Sequence, residues 1–295
     1  MNNYDDILNN TPAEGQKEQL SKEEYAAKKH AEREAFYALS DFTATDIAAD
    51  GGKFRQYLDV QANFNRYSAV NTLLVFAQMP EATRLGSFDY WKSQGGFVKP
   101  GQTGIAILEP GKEYERRDGS GTAVGYNIKR VFDISQVDAR KVQAAAPPSP
   151  DERQLLRALI LKAPMKISGV DELPGNLGAM TIPETGEVTV RRGMPFSDTF
   201  RSVALEIAAG LAAEANVQAD TQFAAYCVSY LLSKKYGADT QAFDFAEAPT
   251  VFDGMEAQEV KSVLTQIRNV FEEVSAQMSR QLDMAQKTVR SQEAR

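Results

Sequence analysis

The chain has 295 residues, of which 43% are apolar and 25% are charged, a composition typical of a globular protein of about two domains. One cysteine and one histidine exclude an internal disulfide, a thiolate metal cage and any mechanism that needs a histidine pair or triad. No apolar run approaches the roughly 18 residues of a membrane span and no secretory leader is recognisable, so we expect a cytoplasmic protein.

The net charge of −7 is unevenly distributed along the chain. Residues 51–150 carry 13 basic and 9 acidic side chains, whereas the segments before and after them are acidic. The overall charge argues against generic nucleic-acid binding, but the basic segment, where glycines and aromatic residues also gather, favours it locally.

The N-terminal part is predicted to be helical after a polar, mobile tail at residues 1–20. Ser21 with a glutamate three residues later is a capping-box signature, and it predicts that a helix begins there. After the Asp-Gly-Gly break at 50–52, apolar residues recur at helical spacing until Pro80 ends the pattern. Residues 88–95 are predicted to form a short helix that ends at Gly95.

Alternating apolar runs separated by glycine-rich turns then predict a small antiparallel sheet over residues 97–134. The proline-rich segment 143–150 has the composition of a linker, which separates a first domain at 21–142 from a second at 151–252. The second domain combines a helix, short strands with a turn at Glu184 to Gly186, and two strongly apolar helices. Residues 253–295 form one long helical pattern with an apolar side.

Residues 25–140 resemble the N-terminal domain of antirestriction ArdC proteins and of LtrC-like proteins of conjugative elements. In those families a Tyr-Ser-x-x-Asn helix leads through a tryptophan-containing turn to a glycine-rich, Lys-x-Gly hairpin. The matching residues are Tyr67, Ser68, Asn71, Trp91, Gly95, Gly96, Lys99, Gly101, Gly104, Val131, Phe132, Asp133 and Gln136.

The resemblance implies binding of single-stranded DNA, and the residue types suit that function. Aromatic faces stack bases and cations track phosphates. Candidate stacking residues are Tyr67, Tyr90, Trp91, Phe97 and Tyr126; candidate phosphate contacts are Arg66, Lys92, Lys99, Lys129 and Arg130; Ser68 and Asn71 complete the set. Two alternatives stay open at this point: Tyr67 and Trp91 are equally well explained as core residues, and Ser68 and Asn71 as helix-surface or capping groups.

The second domain is similar to a zincin-type metallopeptidase that has lost its metal ligands. A working site needs His-Glu-x-x-His on one helix, because both imidazoles must reach one Zn²⁺ while the glutamate activates water. Glu206 stands at the glutamate position, but Leu205 and Ala209 replace the histidines and Tyr226 replaces the third, acidic ligand. We therefore expect no catalytic residue, no metal and no cofactor, with Glu206 as a remnant.

The predicted fold class is α+β: N-terminal helices with a small antiparallel sheet, then a zincin-like domain and a long C-terminal helix. The leading functional hypothesis is a non-enzymatic single-stranded DNA-binding protein of a mobile element or phage, connected with antirestriction or conjugation. One alternative is a protein-interaction module that self-associates or binds a partner protein through its C-terminal helix. A third is a residual hydrolase that uses Glu206 with an unconventional metal. No membrane partner is expected.

Overall fold

A computed structural model of the protein describes residues 21–115, 121–140, 142, 150–215 and 220–293. The predicted tail 1–20 and nearly all of the predicted linker 143–150 lie outside these residues. Contacts divide the chain into two compact units, the first comprising residues 1–45 and 70–144 and the second residues 46–69 and 145–295. The architecture is α+β with a long C-terminal helix, as the sequence predicts.

The first unit combines helices with two small sheets. Its helices are α1 (Lys22–Ala48, which enters the second unit after Thr45), α3 (Ala69–Gln78) and α4 (Phe88–Ser93). Its strands are β1 (Leu85–Gly86), β2 (Phe97–Val98), β3 (Ile105–Glu115), β4 (Thr122–Asp133) and, after a 3-10 turn at Ile134–Gln136, β5 (Val137–Asp138). The predicted capping box starts α1, since the N–H of Glu24 donates to Ser21 Oγ and the N–H of Ser21 donates to Glu24 Oε2.

The long hairpin β3–β4 is the centre of the first unit. The three-stranded sheet has the order β1–β4–β3 and is antiparallel throughout, while β2 pairs separately with β5. Alternate residues of β3 and β4 face α1 and α3, where a buried apolar cluster forms. Its members are Phe36, Leu39, Leu74, Ala106 and Leu108.

The free edge of β3 is paired with side-chain amides of α3. Asn71 Nδ2 donates to the carbonyl of Leu108 over 2.9 Å, and the N–H of Leu108 donates to Asn71 Oδ1 over 2.8 Å. Gln78 makes the same pair of bonds to the N–H and carbonyl of Ala106. Since the two amides lie seven residues apart, they share one face of α3 and satisfy backbone groups that a neighbouring strand would otherwise take.

The second unit is a helical layer on a three-stranded sheet. Its helices are α2 (Gly51–Asn63), α5 (Glu152–Ile160), α6 (Phe196–Glu214), α7 (Thr221–Tyr236), α8 (Ala248–Val251) and α9 (Ala257–Glu293). Its strands are β6 (Ile167–Val170), β7 (Ala179–Thr181) and β8 (Val188–Arg191), with β8 in the centre, parallel to β6 and antiparallel to β7. The predicted turn before β8 is present: Gly186 has a φ of 67° and its N–H donates to the carbonyl of Ile182.

The helical pattern predicted to run from Lys53 to Pro80 is divided into two helices that belong to different units. The helix α2 ends at Asn63, the non-helical φ/ψ of Phe64 (−122°, 52°) ends its hydrogen bonding, and α3 starts at Ala69. An amphipathic pattern shows that one face of a helix is buried, but it does not show which element covers that face. Because apolar residues continue at helical spacing through residues 64–68, the pattern gives no sign that the helix ends there.

Aromatic packing explains why α2 belongs to the second unit. The ring of Phe54 stacks at 5.7 Å on Phe223 of α7 and contacts Phe245 at 5.6 Å. Gly51 lets α2 approach closely, because a Cβ at this position would lie 2.1 Å from the carbonyl oxygen of Phe245. The hydroxyl of Tyr230 also donates to Asp59 Oδ1 over 2.6 Å.

The helix α9 packs on α5, α6 and α7 with its apolar side. That side is buried as far as Met278 at the following positions: Val260, Val263, Leu264, Ile267, Val270, Phe271, Val274 and Met278. In the described residues, no helix is both long and apolar enough to cross a membrane.

Candidate nucleic-acid interface

A buried carboxylate organises the turn that follows β4. Asp133 is 2% exposed and accepts hydrogen bonds from the N–H groups of Thr83 and Arg84, both at 2.8 Å, and from that of Ser135 at 3.0 Å. Burial raises the pKa of Asp133, but these three hydrogen bonds outweigh burial and hold the pKa below its ordinary value. The carboxylate thus fixes the segment before β1 to the end of β4.

A second set of hydrogen bonds joins this turn to the glycine-rich segment at 99–104. Gln136 Nε2 donates to the carbonyl of Thr103 over 2.8 Å, and the N–H of Lys99 donates to the carbonyl of Gln136 over 2.9 Å. The ammonium of Lys99, predicted to contact phosphate, donates to the carbonyl of Ser135 over 2.8 Å while the side chain stays exposed. Residues that carry the family resemblance therefore hold together the turn after β4 and the glycine-rich segment 99–104, which form the scaffold of the candidate interface.

Two residues predicted to contact DNA lie inside the first unit. Trp91 is completely buried, and its Nε1–H donates to the carbonyl of Phe132 over 2.8 Å, so neither face of the indole is open to a base. The amide of Asn71 is occupied by the edge of β3. Both side chains therefore serve the fold of the first unit: Trp91 of the six-residue helix α4 is buried, and the half-buried Asn71 binds the β3 edge.

Sequence reasoning missed Arg84. Its guanidinium lies 5.2 Å from the ring of Trp91 and 5.9 Å from that of Tyr90, and its Nη2 donates to the Tyr90 hydroxyl over 2.9 Å. Gly86 makes room for this arrangement, since a Cβ there would lie 2.2 Å from Tyr90 Cδ1. The one signal in the sequence that could have indicated this arrangement is Gly86, which lies between Arg84 and the pair Tyr90 and Trp91.

Several aromatic side chains of the same part of the chain are exposed. Among the described residues from 84 to 140 they are Phe88 (54% exposed), Tyr90 (38%), Phe97 (59%) and Tyr126 (41%). Single exposed apolar side chains are common on protein surfaces, so a ring becomes a candidate for base stacking only where charged groups lie beside it.

Phe97 lies beside several charged groups. It pairs with Asp138 across the β2–β5 ladder, and directly opposed residues of an antiparallel pair point to the same face. Hydrogen bonds from Arg140 lower the pKa of Asp138 to about 2, with a smaller effect of the nearby Lys99. This face therefore presents an exposed ring opposite an aspartate that is paired with Arg140 and lies near Lys99.

Three further side chains of the first unit that are predicted to contact phosphate differ in the partners that their positive charges have. Lys92 is exposed on α4. Lys129 Nζ forms an ion pair with Glu109 at 2.5 Å. Arg130 donates to the carbonyl of Gly104 over 3.0 Å and lies 5.7 Å from the ring of Phe36. Lys92 thus offers the most accessible charge of the three.

The remaining predicted DNA contacts, Arg66, Tyr67 and Ser68, belong to the second unit. They form the loop after α2, in which the Tyr67 ring stacks on Phe64 at 5.4 Å. Arg268 of α9 holds this loop, donating from Nε to the carbonyl of Tyr67 and from Nη2 to that of Arg66.

The positions matched to the metallopeptidase site lie on α6 and α7. Glu206 Oε2 accepts hydrogen bonds from the N–H of Thr181 over 3.0 Å and from its hydroxyl over 2.6 Å, which ties α6 to β7. The hydroxyl of Tyr226 accepts from the N–H of Asp244 over 2.7 Å. Leu205 and Ala209 provide no donor atom.

These residues do not fit a zinc ion. Zinc sites use histidine, cysteine or carboxylate ligands, and the three ligand positions hold leucine, alanine and tyrosine. Over the described ranges, no three histidine, cysteine, aspartate or glutamate side chains are grouped so that they could hold a metal.

Comparison with known proteins gives a family match and similar crystal structures. Residues 44–141 match the family model described as the N-terminal domain of anti-restriction factor ArdC. The metal-free antirestriction ArdC protein from the R388 plasmid is 14% identical, with 72% of this chain and 86% of that chain covered and a TM-score of 0.47. Its Mn(II)-bound structure is 13% identical, with 73% and 85% covered and a TM-score of 0.46. No curated protein matches the chain.

The matched segment contains Asp133, Gln136, Trp91 and the β3–β4 hairpin, which are the parts that hold the surface of the first unit together. It also extends into α2 and the loop after it. Residues 44–141 are therefore similar to the N-terminal domain of anti-restriction factor ArdC, and the chain is ArdC-like over this part of its length.

Proposed function

We propose that the protein binds single-stranded DNA through the exposed aromatic and cationic side chains of its ArdC-like segment, and that it serves an antirestriction or conjugation-related role. The observation that carries the proposal is the exposed Phe97 ring opposite Asp138, whose carboxylate is paired with Arg140 and lies near Lys99. An unpaired strand needs this combination, because a ring stacks a base and cations contact the flanking phosphates.

Arg84 and Tyr90 support the same function. The Arg84 guanidinium is half-buried against two aromatic rings, and arginine binds phosphate well because its planar group offers several donors. Trp91 and Asn71 are left out of the proposed contact set, because their side chains serve the scaffold.

Fluorescence anisotropy of labelled single-stranded and duplex oligonucleotides at two salt concentrations tests this proposal. Each stacked base contributes about 1 to 3 kcal/mol, so Phe97→Ala is expected to weaken single-strand binding about 5- to 150-fold. Lys99→Ala is expected to reduce the slope of log K against log salt by about 0.7.

The matched control is Phe42→Ala. This ring is 54% exposed, close to the 59% of Phe97, but it lies on α1 outside residues 44–141, and its removal is expected to leave affinity unchanged. Equal loss in both variants, or no single-strand binding by the unmodified protein at low salt, contradicts the proposal.

The second unit is proposed to have no peptidase activity. Its glutamate is engaged with Thr181 and the three ligand positions carry no zinc-binding group. Measured hydrolysis of a casein substrate that disappears in Glu206→Gln would refute this part.

A second candidate function, a protein-interaction module, is favoured by a groove between α5 and α9 with a volume of about 410 Å³. Leu161 and Met284 at this groove are 43% and 53% exposed. A second copy of the chain is the expected occupant, because α9 offers the same apolar surface in both copies and a twofold contact needs self-complementary patches. Light scattering distinguishes this case: a dimer that Met284→Lys dissociates, with no DNA affinity, would favour it over DNA binding.

A further inference from the structure

The outer edge of β4 is open over most of its length. The strand order β1–β4–β3 places β1 on that edge, but β1 pairs only with Phe132 and Asp133 and ends at Gly86. Among the described residues, no strand pairs with this edge of β4 before residue 132. An open edge offers its N–H and C=O groups to an added strand.

The contacts of β3 show which backbone groups of β4 point to the open edge. Asn71 binds the N–H and carbonyl of Leu108 from the side away from β4, so Leu108 exchanges no hydrogen bonds with Ile128, the residue opposite it. The N–H and carbonyl of Ile128 therefore point to the open edge. The carbonyl oxygen of Gly125 lies toward β3 instead, because it is 2.9 Å from the position that a Cβ would have at Gly111. Since the direction alternates along a strand, the even-numbered residues from 122 to 130 all direct these groups to the open edge.

The charged side chains of this stretch are turned back into the first unit. Lys129 pairs with Glu109 of β3. Arg130 donates to the carbonyl of Gly104 and lies 5.7 Å from the ring of Phe36. Charged side chains on an edge strand normally keep other strands away. Because these two cations have partners within their own unit, they leave the edge accessible.

We propose that a second copy of the chain pairs with this edge, with the two β4 strands antiparallel about a twofold axis at Tyr126. In this register, residue 128 of one copy lies opposite residue 124 of the other, and residue 130 lies opposite residue 122. All these positions are even-numbered, so the outward N–H and C=O groups of both copies meet. A twofold contact needs a self-complementary surface, and this strand edge is one. The contact does not depend on the DNA binding proposed above.

The length of the open edge favours this register. An axis closer to residue 130 would bring the added strand against β1, which already occupies the positions from 132 onward. With the axis at Tyr126, the added strand begins at Thr122, opposite Arg130, and stops short of β1. The two Tyr126 side chains, each 41% exposed, then lie directly opposite each other on one face of the sheet, and aromatic pairs of this kind stabilise antiparallel strands.

Sedimentation velocity of the full chain without DNA tests the proposal, at concentrations from about 1 to 300 μM, which cover the dissociation constants of weak contacts. A dimer is expected. Tyr126→Lys is expected to raise its dissociation constant about 10-fold, because the change removes the aromatic pair and opposes two like charges at the axis. Asn127→Lys is the matched control, since it adds the same charge at the next exposed position, opposite Gly125 of the other copy. It is expected to change the constant by less than about 2-fold.

Cysteine cross-linking gives a second measurement. Tyr126→Cys is expected to form a disulfide between two copies on mild oxidation, because opposite residues of an antiparallel pair have Cα atoms about 5.5 Å apart, which suits a disulfide. Asn127→Cys is the control and is expected to stay unlinked. The native Cys227 is buried and therefore does not compete.

Three results would overturn the pairing of β4. The first is a monomer over the whole concentration range, and the second is equal cross-linking of the two cysteine variants. The third is a dimer that Met284→Lys dissociates and Tyr126→Lys does not, which assigns the contact to α9. The effect of Phe97→Ala on DNA binding is independent of these results, so a failure of this pairing and a failure of the proposed function are distinguishable.

Discussion

Replacing Asn71 by leucine removes one of the two amides that pair with the edge of β3. The N–H and carbonyl of Leu108, a residue only 6% exposed, then lose both protein partners. Each unsatisfied buried group costs about 1 to 3 kcal/mol, and partial access of water places the total loss of unfolding free energy at about 2 to 4 kcal/mol.

Urea denaturation followed by tryptophan fluorescence measures this loss in the relevant unit. Trp91 is the single tryptophan of the chain and is buried in the first unit, so its emission reports on that unit. We expect the midpoint to fall by about 1 to 2 M urea with an unchanged slope. Gln94→Leu, at an exposed position of the same unit, is the control and is expected to change stability by less than about 0.5 kcal/mol.

The outcome also separates the two roles considered for Asn71. If Asn71→Leu retains wild-type stability but loses affinity for single-stranded DNA, the residue contacts DNA and the reasoning from the β3 edge is refuted. Reduced stability with unchanged affinity, measured where the variant is folded, supports the structural role.

Three other substitutions test further contacts. Gly51→Ala is expected to lower the free energy of unfolding by about 1 to 3 kcal/mol, because its new Cβ meets a backbone carbonyl. Gly52→Ala is the control and is expected to cost less, since its Cβ meets only a side-chain oxygen at 3.1 Å. Thermal denaturation compares the two variants. Asp133→Asn is expected to destabilise the protein at pH 7. Since the pKa of Asp133 is lowered in the folded state, this contribution is present above the unfolded pKa of about 3.9 and is lost as the pH falls through the folded pKa, so the two proteins should converge in stability at low pH. Glu206→Ala is expected to cost about 1 to 3 kcal/mol in urea denaturation through the loss of both hydrogen bonds from Thr181, and an unchanged midpoint would argue against that tether.

Local signals predicted the elements whose structure is decided within a few residues. The Ser21 to Glu24 capping box marks the start of α1, and the Thr-Gly turn before β8 is placed correctly at Gly186. The α+β class and the long terminal helix are confirmed as well, because their apolar spacing is sustained over many residues.

Features that depend on distant partners were not predictable from the sequence. The spacing of apolar residues around Phe54 does not show that α2 packs on α7, because an apolar helix face can be buried by any apolar partner. Arg84 gains its aromatic neighbours through the fold, and the side on which Trp91 faces cannot be read from a helix of six residues. The predicted DNA contacts remain predictions, and the structure divides them between two units.

The amide pairs of Asn71 and Gln78 have a consequence for association between copies of the protein. An open sheet edge recruits strands from other molecules and leads to aggregation. At Ala106 and Leu108 the backbone groups of β3 are already taken by α3, so another chain has no hydrogen bonds to gain there. At high protein concentration, copies of the chain are therefore expected not to join through this stretch of the sheet.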